Sequence, residues 1–247
     1  MGSGVVKYGT PESRQAYPCL GRSHVGLVRT ENEDSFGVST DRGIVAVADG
    51  MGGHANGRYV ADCAVAALCQ VPSAPSLDDT LSKAREALAA TNRDVFSRAR
   101  RSGCTMGATL VAALIGQSRV GIIWAGDSRA YIFRDGVLYG LTRDHSAVQE
   151  LLEAGRITHQ EAAKHPLRHV VTRALGMNSQ FEVEWGTHAL GLGDIILLST
   201  DGLHGAVSEK LIEECLARYG LDALDKLIDL ALDAGGRDNV TIVLLKI

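Results

Sequence analysis

Short, almost unbroken apolar runs alternate along this chain with stretches in which apolar residues recur every three or four positions, and that contrast sets out its elements. Residues 44–48 are five apolar residues in a row, two of them small, and read as a buried strand. Runs at 109–115, 119–125, 130–134, 195–198 and 240–245 read the same way, and 181–188 alternates weakly. A short strand is expected over 23–28, with another over 35–38 after the polar turn 29–34. Asp135-Gly136 is a hairpin signal leading into 137–139. Helical spacing marks 58–70, with Val60, Ala64, Ala67 and Leu68, and 78–101, with Leu81, Ala84, Leu88, Val95 and Phe96. Two further helices are expected late in the chain, one capped by Ser208 and running to Arg218, the other over 222–234 and stopped by Gly235-Gly236.

Residues 144–175 break this rhythm. Two short helices, 146–154 and 158–164, surround Gly155, and Pro166 closes the pair. The segment is too polar for a core and sits between strand regions, so it reads as a mobile lid or substrate-contact flap. Strands in runs with helices in pairs argue for an α+β sandwich. No internal repeat or low-complexity linker divides the chain. We expect a lead-in over 1–22 and one domain over 23–247.

Composition narrows the function. The 247 residues are 45% hydrophobic, enough to bury a full core. A net charge of −4 and the absence of a dense Lys/Arg run argue against nucleic acid as a partner, and the cluster at Arg98, Arg100 and Arg101 suits a solvated helix end. Five cysteines form no C-x-x-C pair and are odd in number, which fits neither a disulfide framework nor a zinc site. Residues 1–20 lack the apolar centre of a signal peptide, and no run has the length of a membrane span. A cytoplasmic monomer is expected.

The candidate chemistry lies in the aspartates. Asp49 follows a strand and opens Gly50-Met51-Gly52-Gly53; Asp127 lies between two strands in Gly126-Asp127-Ser128. Asp201 follows a strand, whereas Asp34 and Asp238 each precede one. In antiparallel sheets such positions can gather at one edge. Clustered carboxylates repel, and divalent cations relieve that repulsion; an all-oxygen set without His or Cys suits Mg²⁺ or Mn²⁺ better than Zn²⁺.

In their order, Arg29-Thr30-Glu31-Asn32-Glu33-Asp34, Asp49-Gly50-Met51-Gly52-Gly53-His54, Thr105-Met106-Gly107-Ala108-Thr109-Leu110, Gly126-Asp127-Ser128-Arg129, Asp201-Gly202-Leu203 and Asp238-Asn239-Val240-Thr241 resemble the motifs of the metal-dependent protein phosphatase (PPM, protein phosphatase 2C-like) family. Leu141-Thr142-Arg143-Asp144-His145-Ser146 and Thr172-Arg173-Ala174-Leu175-Gly176 resemble the flanks of the flap in its bacterial members. The likeness runs from about Ser23 to the C-terminus. It implies a four-layer α-β-β-α sandwich of two mainly antiparallel sheets, with two Mn²⁺ or Mg²⁺ ions at one end and a third, weaker site. By the match, Asp49 would bridge both metals and the Gly50 carbonyl would bind the second. Asp201 and Asp238 would hold the first, and Asp127 would serve the third with Asp201. Glu33 and Asp34 would orient bound waters, Asn239 would stand behind the ligands, and Arg29 would grip the phosphate.

The reaction implied is in-line attack of metal-bound hydroxide on phosphoserine or phosphothreonine, with no phosphoenzyme. His54 is the nearest candidate to protonate the leaving alkoxide, since Met51 stands where some relatives carry His; a water could serve instead. Ala108 and Thr200 stand where Thr and Ser are common in the family, and little consequence is expected. Partners would be phosphorylated proteins: a bacterial Ser/Thr kinase, its substrates, and forkhead-associated or secretion-system components among them. Two other readings compete. Ser128 with Asp201 and His204 could form the triad of a lipase-like esterase, or the fold could be a phosphoprotein-binding module with no turnover.

Overall fold

The computed structural model describes residues 5–9, 16–53, 55–72, 74–162 and 164–247. Eleven strands form two antiparallel sheets. One has six strands, ordered β1 (Val5–Gly9), β2 (Ala16–His24), β11 (Val240–Lys246), β10 (Ile195–Ser199), β7 (Arg129–Arg134) and β8 (Val137–Gly140). The other has five, ordered β3 (Ser35–Ser39), β4 (Ile44–Met51), β5 (Gly107–Ile115), β6 (Arg119–Ala125) and β9 (Glu184–Ala189).

Both sheets are buried on two faces, which is why their central strands are continuous apolar runs. Along β4, Ile44, Ala46 and Ala48 face helices while Val45 and Val47 face the other sheet. Along β10, Ile195 and Leu197 face helices while Ile196 and Leu198 turn inward. The period of two thus feeds three packed layers at once. Helices α1 (Ala55–Cys69) and α2 (Leu77–Ser102) cover the five-stranded sheet. The six-stranded sheet is covered by α5 (Asp201–His204), α6 (Glu209–Tyr219) and α7 (Ala223–Asp233). The architecture is the α-β-β-α sandwich that the family resemblance implied. The flap carries α3 (Ala147–Glu153) and α4 (His159–Ala162), close to the expected positions. No helix among the described residues is long and apolar enough to cross a membrane.

Near the N-terminus the structure corrects the sequence reading. The strand expected over 23–28 is β2, which starts at Ala16 and ends at His24, so a lead-in drawn to residue 22 would end inside a paired strand. Tyr17 and Cys19 are its inward residues, whereas Leu27 and Val28 are each 66% exposed. Asp49 lies within β4, one residue before Gly50, where it was expected just beyond the strand. The short helix α5 was not anticipated.

One polar residue interrupts the buried stripe of α2, which runs Leu81, Ala84, Leu88, Asn92, Val95, Ala99. The Asn92 amide accepts from the Gly176 N–H at 2.7 Å and donates to the Asn178 carbonyl at 2.9 Å. It thereby ties the segment leaving the flap to the helix layer. Asn92→Leu keeps the volume and orphans both main-chain groups, each costing about 1–3 kcal/mol. We expect urea unfolding to report a loss of about 2 kcal/mol or more.

Candidate active site

Antiparallel pairing brings the C-terminal ends of β4 and β6 beside the N-terminal ends of β3 and β5. In the other sheet the end of β10 meets the starts of β7 and β11. The turn 126–128 crosses from one sheet to the other at this same end. There a cleft of about 750 Å³ opens, lined by Asp49, Gly50, Asp127, Asp201, Asp238 and Asn239, with Arg29 and Glu33 at its side. Residues up to some 210 positions apart are gathered here. Asp34 is not at the surface of the cleft; it is fully buried behind it. His54 lies outside the described residues.

Each acidic residue is held by backbone geometry and by partners distant in sequence. Asp49 and Gly50 pair across the ladder with Thr109 and Ala108. A Cβ at position 50 would run into the Gly57 carbonyl, so only glycine lets the first turn of α1 lie on this strand end. Asp34 Oδ2 accepts from the Thr200 hydroxyl at 2.9 Å and the Thr241 hydroxyl at 2.7 Å. Thr200 Oγ1 also accepts from the Thr241 N–H at 3.0 Å. Asn239 pins the 25–33 loop: its Oδ1 accepts from the Glu33 N–H at 2.8 Å, and its Nδ2 donates to the Val25 and Glu31 carbonyls at 2.8 and 2.9 Å. Asp201 opens α5 directly after β10.

The electrostatics are unfavourable for carboxylates alone. Burial, with repulsion from neighbouring aspartates, pushes Asp34 and Asp127 up to about 7 and Asp201 up to about 6. Asp49 is raised well above its ordinary value, by burial first and then by Asp34, Asp201, Asp127 and Asp238. Asp201 is one of the neighbours whose charge raises Asp49, so the two acids cannot both ionise there without cost. Two buried carboxylate oxygens, Asp34 Oδ1 and Asp201 Oδ1, have no hydrogen-bond partner among the described residues. Buried oxygens in that state ask for a donor or a cation. Among the described residues, no three of Asp, Glu, His and Cys close tightly enough to enclose an ion unaided, so the acids ring the cleft and do not meet at a point. The donor set, all oxygen with a glycine carbonyl among it, fits a hard divalent ion completed by water.

Positive groups stand at the rim. Arg29 Nη2 donates to Asp238 Oδ2 at 2.9 Å, and its guanidinium also feels Asp49 and Glu33. From the flap, Arg168 and His169 line the cleft, and His169 lies near enough to Asp201 to favour its charged form. Sequence reading did not single out these two residues, nor Thr200 and Thr241 as donors to Asp34. The esterase triad is not assembled. Ser128 is buried with its hydroxyl 2.7 Å from that of Thr109, while His204 faces the Ser199 hydroxyl and the Asp127 main chain.

The chain matches the protein phosphatase 2C family model over residues 19–240. It is 40% identical over 225 residues to the serine/threonine protein phosphatase PstP of Mycobacterium tuberculosis, covering 90% of this chain and 43% of that protein. It thus spans under half the length of the mycobacterial relative. The serine/threonine phosphatase stp of Listeria monocytogenes is 35% identical over 236 residues, covering 91% of this chain and 94% of that protein. Among solved structures, PppA, described as a key regulatory component of T6SS in Pseudomonas aeruginosa, superposes with a TM-score of 0.87 at 36% identity, over 98% of this chain and 99% of that one. The catalytic domain of PstP in complex with two manganese ions gives 0.83 at 36% identity, over 93% and 97%.

The Thr200 hydroxyl serves two buried groups at once, so its removal is not innocuous. Thr200→Val leaves Asp34 Oδ2 and the Thr241 N–H each short of a partner. Urea unfolding in EDTA should show a loss of about 2–4 kcal/mol, whereas Thr200→Ser, which keeps the hydroxyl, should stay within about 1 kcal/mol.

Proposed function

This chain belongs to the protein phosphatase 2C family, and from that premise we propose that it hydrolyses phosphoserine and phosphothreonine in proteins with two Mn²⁺ or Mg²⁺ ions in the cleft. The observation that carries this reading is Asp201 Oδ1: a buried carboxylate oxygen without a partner, beside Asp49, in an all-oxygen site with cationic groups at its rim. In the proposed arrangement Asp49, the Gly50 carbonyl, Asp201 and Asp238 hold the two ions, and Asp127 serves a third, weaker one with Asp201. When bound, the ions lower the pKa of water and neutralise charge on the phosphoryl group, two demands that a side-chain base alone does not meet for so inert an ester.

The chain's own residues do the rest. Arg29, held toward the cleft by Asp238, offers a planar fork to the phosphate oxygens. Asn239 fixes the loop that presents Arg29 and Glu33. Asp34, braced by two threonine hydroxyls, sets a negative potential behind Asp49 and Asp201, and Glu33 orients water at the cleft wall. His54 remains our proposed proton donor to the leaving alkoxide. As substrates we propose phosphoproteins of a bacterial Ser/Thr kinase pathway, the kinase itself and forkhead-associated proteins included, acted on in the cytoplasm by a monomer. The likeness to PppA adds secretion-system components to that set.

Asp201→Asn and Asp238→Ala, assayed beside the unmodified protein on a phosphothreonine peptide across a Mn²⁺ titration, test the reading. Each should lose about 10²-fold or more in kcat/KM. Saturating Mn²⁺ should raise the melting temperature of the unmodified protein by about 5–10 °C, the effect of a ligand near a hundred times its Kd. Asp201→Asn should blunt that rise and melt higher than the unmodified protein in EDTA, one repelling charge having gone. Metal-dependent turnover retained in both variants removes the assignment, and a folded, metal-loaded protein without turnover would favour a phosphoprotein-binding role.

A further inference from the structure

Asp127 is the one acidic residue of the cleft carried on a turn between the sheets, and that turn is held on three sides. On the first, Gly126 lies against Thr109 of β5 with φ +103°, where a Cβ would strike the threonine side chain, and the Ser128 and Thr109 hydroxyls are 2.7 Å apart. On the second, His204 lies near the Asp127 main chain and faces the Ser199 hydroxyl. The third side is His145, at the root of the flap. Its Nδ1 accepts from the buried Gly126 N–H at 3.0 Å, and its own N–H donates to the Gly126 carbonyl at 2.9 Å. One residue thus satisfies both main-chain groups of the glycine before Asp127.

The ring is itself fixed. Because Nδ1 is an acceptor, the proton sits on Nε2, which donates to Glu184 at 2.7 Å. Trp124 stacks on the imidazole with an interplanar angle of 8°, and the indole N–H donates to the Arg143 carbonyl at 2.8 Å. Burial, aided by Arg173 and opposed by Glu184 and Asp144, holds the imidazole below its ordinary pKa, in keeping with a neutral ring. The His145 carbonyl then accepts from the Thr172 N–H at 2.8 Å, closing the other limb of the flap on the same residue.

We propose that His145 is a positioning residue: its imidazole fastens the 126–128 turn to the root of the flap and so fixes where Asp127 stands in the cleft. The proposal rests on the reading of Asp127 as a ligand of the weaker divalent site. Without the acceptor at Nδ1, the buried Gly126 N–H seeks another partner, the turn relaxes, and the Asp127 carboxylate leaves its place.

Two substitutions separate the two ring nitrogens. In His145→Asn the side-chain oxygen can take the place of Nδ1 and lose only the Glu184 contact; in His145→Gln the amide reaches toward Glu184 and leaves Gly126 unserved. Binding of Mn²⁺ is followed by the electron paramagnetic resonance of the free aquo ion, with the full chain, for these two variants, Asp127→Asn and the unmodified protein. Asp127→Asn and His145→Gln should both weaken the weakest site by about tenfold or more, the usual reach of a residue standing behind a ligand. His145→Asn should keep most of that affinity and the slow hydrogen exchange of the Gly126 amide. Turnover lost in His145→Gln should return as Mn²⁺ is raised, which a merely destabilised protein would not show. If Asp127→Asn binds as the unmodified protein does, the ligand reading fails and the proposal with it. If Asp127→Asn loses the site and His145→Gln does not, the positioning role alone is overturned. Should Gln at 145 prevent folding, His145→Asn decides: a folded protein without the weak site refutes the proposal, and a retained site supports it.

Discussion

Everything in this fold answers to one electrostatic difficulty, the holding of several carboxylates in a cleft that water only partly fills. Two unit charges 4 Å apart repel by about 4 kcal/mol at an effective dielectric constant near 20. Three or more in one cleft would unfold their own scaffold unless something compensated. Part of the compensation is built from the chain: two threonine hydroxyls on Asp34 and an arginine on Asp238. What remains at the cleft is Asp201 Oδ1, without a partner among the described residues, a deficit that a divalent ion would remove. Relief of the repulsion in the bare site is thus one contribution to its affinity for metal.

Topology makes such a concentration of charge possible. In an antiparallel sandwich, strand starts and strand ends alternate at each edge, so acids placed at the end of β4, after β10 or before β3 and β11 arrive at one end whatever their separation in sequence. The apolar cost is met elsewhere, in three layers of aliphatic side chains that leave no ambiguity of register. Slipping β4 by one residue would exchange Val45 and Val47 for Ala46 and Ala48 across the sheet. It would also turn Asp49 away from the cleft. The same period of two that packs the core therefore aims the site.

What could be read from the sequence follows from this division. Continuous apolar runs announced the central strands, because both faces of each sheet are covered, and the order of Asp49, Asp127, Asp201 and Asp238 announced the cleft. β2 was misread because Tyr17 and Cys19 point inward between Pro18, Gly21 and Arg22, a pattern that looks like loop, while the more strand-like Val25, Leu27 and Val28 lie beyond its end. Thr at 200 in place of Ser was expected to matter little, and neither Thr241 nor Asn92 was read for the bonds it makes. Each bonds a partner 84 or more residues away. A hydrogen bond of that span leaves no trace in local composition; only folding makes it visible.

The flap is held at its ends and sparsely packed between them. Its two limbs are fastened where they leave the sandwich: at entry by His145 and the Arg129–Asp144 pair, and at exit by the mutual hydrogen bonds of Ala108 and Leu175 and by Asn92 on Gly176. Between these anchors the helices α3 and α4 have no buried residues and rest on few partners. Arg168 and His169 nevertheless reach the cleft from this loosely packed part. The flap is thus bonded to the sheets at its two roots, on the same edge that carries the carboxylates, while its helices stay clear of the core.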